Sequence, residues 1–151
     1  FVDSACQRLR KQNGLARGIV VFIATNRFRA QPYSNSKLMS LPAATCHTAK
    51  FTKAMIEGLK SIYRPELYYK RAGIMLTEIE SADTIQKDFL VSETERAKDL
   101  KLMKAVDTVN HKLGRKTLYF GTQAVGVQHY IKREFKSASY TTSWNDLPLV
   151  H

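Results

Sequence analysis

Val2, Ala5, Cys6 and Leu9 recur at the three- and four-residue spacing of one helical face, and Asn13-Gly14 follows as a stop, so a helix is predicted over residues 1–12. Residues 17–25 (RGIVVFIAT) form a β-branched and aromatic run with apolar side chains on both faces, the pattern of a strand covered on both sides. Asn26 to Ser36, with Pro32, Ser34 and Asn35, reads as a loop. Residues 36–41 (SKLMSL) then make a short second strand, hairpin-paired with the first and ended by Pro42. From about Thr45 to Tyr63, Phe51, Met55, Leu59 and Ile62 share one helical face, which Arg64-Pro65 closes. In residues 68–79 (YYKRAGIMLTEI), Ala72, Ile74 and Leu76 alternate with Arg71, Gly73, Met75 and Thr77 as in a third strand.

The pattern changes after Glu78. Residues 80–91 (ESADTIQKDFLV) are acidic and irregular and read as a linker. Ser92 with Glu95 three positions on is a capping box; Leu100, Met103, Val106 and Val109 or Leu113 continue an apolar stripe, and Gly114 is set to end that helix. Thr117 to Phe120 reads as a short strand, and Gly121 and Gly126 as turns before an irregular end (YTTSWNDLPLV). The prediction is an α+β fold: a sheet packed on helices over 1–79, the linker 80–91, and a small helical and irregular C-terminal region over 92–151.

Charge sharpens this division. The 151 residues carry a formal +11 and a pI near 9.8, and 44% of them are hydrophobic, enough for one ordinary core or a small domain with an appendage. Residues 1–75 hold 13 Lys and Arg against 3 Asp and Glu, whereas residues 76–151 hold 11 against 10. A basic half joined to a near-neutral half points to phosphates as the partner of the first and a different task for the second. Cys6 and Cys46 lack the spacing of a zinc site and do not make a disulfide scaffold; two isolated thiols fit a reducing cytosol. No apolar run reaches the roughly 18 residues that span a bilayer, so no membrane partner is expected and the cytoplasm is the expected location.

The basic and aromatic residues Arg17, Arg27, Phe28, Arg29, Lys37, Lys70 and Arg71 lie on predicted strands and their connecting loop, where Lys and Arg grip phosphates without regard to sequence. A merely solvated strand face is the alternative. Gln86-Lys87-Asp88-Phe89-Leu90 offers an amide and an adjacent apolar pair, the form of a peptide that fills a preformed groove; packing under the next helix suits the same residues. Trp144 suits an interface anchor or packing back on a helix. Metal-assisted phosphoryl transfer needs converging carboxylates, yet Asp3, Glu57 and Glu66 are widely separated, and His47, His111, His129 and His151 read as surface or core residues. Neither catalysis nor a cofactor is expected.

In order, these segments resemble the end of UmuC-type Y-family translesion DNA polymerases, over essentially the whole chain. The resemblance is carried by Tyr69-Lys70-Arg71-Ala72-Gly73-Ile74-Met75-Leu76, by Leu102-Met103 through Gly114-Arg115-Lys116-Thr117-Leu118-Tyr119-Phe120-Gly121, and by Lys132-Arg133-Glu134 through Tyr140-Thr141-Thr142. It implies a little-finger domain of βαββαβ order that holds primer-template DNA, with the catalytic carboxylates upstream of Phe1. Lys70 and Arg71 match the basic pair opening the family's last little-finger strand, which touches DNA phosphates. Gln86, Asp88, Phe89 and Leu90 match the position of the sliding-clamp peptide, with Lys87 in place of its leucine and the final apolar pair inverted. Polymerase accessory subunits of the UmuD type and a recombinase filament are further partners implied by the resemblance, in SOS repair and mutagenesis. The family's first little-finger strand would precede Phe1. With a ferredoxin-like strand order its loss opens the middle of the sheet, so either an adapted three-stranded sheet or a homodimer paired through strand edges is expected. A protein-interaction module for an acidic partner, without DNA contact, is the competing reading. A third, a stand-alone RNA-binding domain, would rest on Phe22, Phe28 and Tyr33 as stacking residues.

Overall fold

Helix α1 (Val2–Lys11) turns Val2, Cys6 and Leu9 inward and ends where Asn13 takes φ 52°, a conformation asparagine tolerates better than most residues. A computed structural model describes residues 1–28, 30–82, 93–114, 117–121, 138–140 and 144. After α1 come β1 (Gly14–Thr25), β2 (Ser34–Thr45), α2 (Thr48–Ile62), β3 (Tyr69–Ser81) and α3 (Glu93–Lys112), an α+β arrangement. The three strands form one antiparallel sheet in the order β2-β1-β3.

That order corrects the ferredoxin-like expectation. β3 pairs with β1 along its length, Ile74 opposite Val21 and Leu76 opposite Ile19, so no strand-wide gap lies inside the sheet. A gap there would strand buried backbone amides and carbonyls of β1, a heavy cost for a central strand. A second copy has no central gap to fill, and among the described residues the outer edges of β2 and β3 have no ladder partner.

Register assigns the faces. Ile19 lies opposite Met39 and Leu76, Val21 opposite Lys37 and Ile74, and Ile23 opposite Asn35 and Ala72, on the side where Ile19, Val21 and Ile23 are buried under the helices. The other side carries Val20 between Leu38 and Met75, and Phe22 between Ser36 and Gly73. A Cβ at Gly73 would lie 2.3 Å from the Phe22 ring, so glycine lets that ring lie over β3. Phe22 is 40%, Leu38 50% and Met75 57% exposed: β1 is central but covered on one face only, not on both as its apolar run suggested. The reason is that α1 and α2 pack on the same side, Cys6 and Phe51 joining Ile19 in one buried cluster.

Pro42 does not end β2. The ladder steps from Gly18–Ser40 directly to Ala16–Thr45, and the intervening bulge takes Pro42 where no ladder N–H is owed. The expected strand over 117–120 is also absent; its polar groups are held by side chains instead. Asn110 accepts from Leu118 N and donates to Leu118 O, both at 2.9 Å, and Thr117 Oγ1 donates to Gly114 O at 2.8 Å. Gly114 at φ 107° ends α3 as its position predicted.

Helix α3 is fastened to this body. Met103 and Val106 are buried in the cluster that holds Val2, Cys6, Leu9 and Phe51. Arg10 reaches from α1 to Asp107 with two bonds, Nε to Oδ2 at 2.6 Å and Nη2 to Oδ1 at 2.7 Å, while its Nη1 donates to Cys46 O and Thr48 Oγ1, each at 3.1 Å. Lys50 meets Asp99 at 2.6 Å. Cys6 and Cys46 are free buried thiols; burial pushes Cys6 up to about 12 and Cys46 above its ordinary value, so both stay protonated and unreactive.

His47 caps α2: its Nδ1 accepts from Ala49 N at 3.2 Å, and its ring lies 5.8 Å from that of Phe120. The acceptor role requires a neutral ring. Burial lowers its pKa below 6.5, aided by Lys50 and Arg10 and opposed by Asp99. The unfolded chain therefore binds a proton more readily than the folded one, and stability is full above about pH 6.5 and falls as pH drops through that value toward the lower folded pKa. Denaturant titrations from about pH 5 to about pH 8 should show this acid-side loss. His47→Asn, which keeps an N-cap acceptor but cannot titrate, should flatten it; an unchanged slope would assign the loss to another group.

Candidate nucleic-acid interface

One end of the sheet collects the loops. There β1 runs out at Thr25, β2 starts at Ser34, α2 ends at Ile62 and β3 starts at Tyr69. Buried Thr25 closes the first loop: its N donates to Tyr33 O at 2.9 Å and its Oγ1 accepts from Tyr33 N at 2.9 Å. Tyr33 then ties that loop to the end of α2, donating its hydroxyl to Ile62 O at 2.7 Å. Tyr69 closes the second loop by accepting from Arg64 N at 2.8 Å and donating to Arg64 O at 3.1 Å. Beneath them Val21, Ile23 and Ile62 form a second buried cluster, with Leu59, Tyr33 and Tyr69 packed on it. These side-chain bonds and this small core hold irregular backbone in one shape.

Cations stand on that frame. Arg71 lies opposite Ala24, on the open face of the sheet, and the register slips by one residue at Lys70 before Tyr69 meets Thr25. Arg27 follows β1, its guanidinium 4.9 Å from the centre of the Phe28 ring. Arg64, which sequence reasoning took only as part of a helix stop, stacks over Tyr33 at 4.5 Å. Its signal was present in the Tyr63-Arg64 pair, but only folding brings it beside Lys70 and Arg71. Arg27, Arg64, Lys70 and Arg71 are exposed, and none forms an ion pair among the described residues.

The remaining cations of the expected set do not join this group. Lys37 pairs with Val21, which puts it by register on the helix-facing side of edge strand β2. Arg17 sits in the irregular stretch near the other end of β1, roughly 20 Å away at about 3.3 Å per residue, and donates to Pro42 O at 3.1 Å. Arg29 lies outside the described residues, as do Gln86, Lys87, Asp88, Phe89 and Leu90. Trp144 is 89% exposed. Among the described residues no three His, Cys, Asp or Glu converge to hold a metal ion, and no helix is long and apolar enough to cross a membrane.

Comparison with known proteins matches two family models to separate parts of the chain. The model of the impB/mucB/samB family C-terminal domain matches residues 1–89, and that of a domain of unknown function, DUF4113, matches residues 100–150. Protein UmuC of Salmonella typhimurium is 33% identical over 97% of this chain and 35% of its own length. Protein MucB of Escherichia coli is 30% identical over 99% of this chain and 36% of its own, and Protein ImpB of Salmonella typhimurium 28% over 99% and 36%. The chain thus spans about a third of the length of the curated relatives it matches. With the first family model covering the sheet, α1 and α2, and relatives aligned from end to end of the chain, this protein belongs to the impB/mucB/samB family and carries its C-terminal domain.

Proposed function

We propose that this chain is the non-catalytic DNA-binding and partner-docking region of an error-prone lesion-bypass DNA polymerase acting in SOS repair and mutagenesis, with the sheet domain as its little finger. The observation that carries the reading is the group Arg27, Arg64, Lys70 and Arg71, exposed on a rigid frame and outside any described ion pair. Cations held this way exchange condensed counterions for phosphate, giving grip without sequence preference. The chemistry belongs to carboxylates elsewhere in the parent enzyme. In this reading Gln86 to Leu90 tethers the enzyme to a sliding clamp, and the region after α3 meets accessory subunits and the recombinase filament.

Fluorescence anisotropy with a short duplex is the test. Affinity should fall steeply with salt, and the pair Lys70→Ala with Arg71→Ala should weaken binding and flatten the log–log salt slope by about two units. Binding without salt dependence would remove the DNA assignment. The competing reading, a protein-interaction module, draws on the apolar row Leu38, Val20 and Met75 on the open face, in which Leu38 and Met75 are exposed and Val20 between them is half-buried. It anticipates clamp binding with indifference to DNA, so each partner titrated alone separates the two.

A further inference from the structure

We propose that the loop end of the sheet is a stacking platform for unpaired bases, so that it takes single-stranded DNA as well as duplex; this rests on the DNA-binding reading and names a second ligand form for the same site. The loops there expose three aromatic rings beside the four cations: Phe28 at 79%, Tyr63 at 52% and Tyr68 at 83%. Single exposed aromatics are ordinary on a protein surface, but these three share two loops that Tyr33 and Tyr69 lash together.

Tyr63 is half held and half open. One side of its ring packs on Tyr69, with centroids 5.5 Å apart, and Tyr69 in turn meets Tyr33 edge-on at 6.3 Å. A ring fixed in this way loses little freedom when a base stacks on it. The Arg64 guanidinium lies over Tyr33, 4.5 Å from the ring centre. By sequence, Glu66 is the one carboxylate that the two loops contribute, against Arg27, Arg29 and Arg64 within them and Lys70 and Arg71 at their margin. Rings that accept any base, set among cations that follow a backbone, form the combination that binds single strands without reading their sequence. A rigid duplex offers its phosphates to the cations but keeps its base faces stacked, so the rings add nothing to that complex.

The test uses the whole chain with three fluorescent probes: a thymidine 12-mer, an abasic 12-mer of equal charge, and a 12-base-pair duplex. The thymidine strand should bind about tenfold more tightly than the abasic one. Tyr63→Ala with Tyr68→Ala should erase that difference while leaving duplex affinity unchanged, and Tyr63→Phe with Tyr68→Phe should keep it. Equal affinity of the unaltered protein for the thymidine and abasic strands, with the duplex still bound in a salt-dependent manner, would overturn the stacking site alone. Failure to bind any of the three would overturn the DNA reading together with it. The comparison of strands on the unaltered protein decides the matter even where the alanine pair fails to fold.

Discussion

Asp107→Ala is expected to lower stability by about 3 kcal/mol, read as a fall in the urea midpoint with little change in its slope. The side chain of Arg10 is 10% exposed and that of Asp107 29%, and Asp107 supplies both carboxylate oxygens to the guanidinium. Burial works against the Arg10 charge, yet the hydrogen bonds and charge of Asp107 more than offset it, so the Arg10 pKa lies above the ordinary arginine value. Without Asp107 that cation keeps only Cys46 O, Thr48 Oγ1 and the Met103 sulfur. Arg10→Met combined with Asp107→Leu should cost less than Asp107→Ala, because the combination leaves no buried charge unmatched. Amide exchange along α3 should quicken in the single variant. A loss below about 1 kcal/mol, the scale of a surface pair, would mean that α3 is fastened by its apolar contacts and the Lys50–Asp99 pair instead.

That pair also joins the two matched regions, since α1 belongs to the impB/mucB/samB C-terminal domain and Asp107 to DUF4113. The linker at 80–91 marked a change of composition, and its residues 83–91 lie outside the described ones. Composition does not reveal that Met103 and Val106 return to the core containing Phe51. The signal for that return was the apolar stripe of α3, which says that a face is buried but not against what.

Periodicity was informative wherever one residue spacing had one structural solution. The stripe Phe51, Met55, Leu59 and Ile62 marked the face of α2 that meets the sheet, and the alternation in residues 71–77 sorted the two faces of β3. It failed where long-range pairing overrode a local signal: Pro42 is accommodated in a bulge, and residues 117–120 find side-chain partners in place of a strand. The candidate site shows the same limit. Lys70 and Arg71 were legible as a pair, but Arg64 joins them only because Tyr33 and Tyr69 close two loops at one end of the sheet. Lys37 looked like part of the same track, and one step of strand register put it on the other face.

Phe51→Ala is expected to cost about 3–5 kcal/mol, whereas Phe22→Ala should cost about 1 kcal/mol, as measured by urea or thermal unfolding. Phe51 is fully buried on α2 among residues from α1, α3 and the sheet, and its loss would leave a cavity that these packed elements cannot close. Phe22 sits on the opposite face, 40% exposed over Gly73, and loses only part of a contact. The ratio tests where stability resides. If it lies on the helix side, the open face and the loop end contribute little to holding the fold together, and their side chains are available to a ligand. Equal losses would mean that the face bearing Phe22 is already covered in solution by a second copy of the chain, and the proposed DNA surface would then narrow to the loop end with Arg27, Arg64, Lys70 and Arg71.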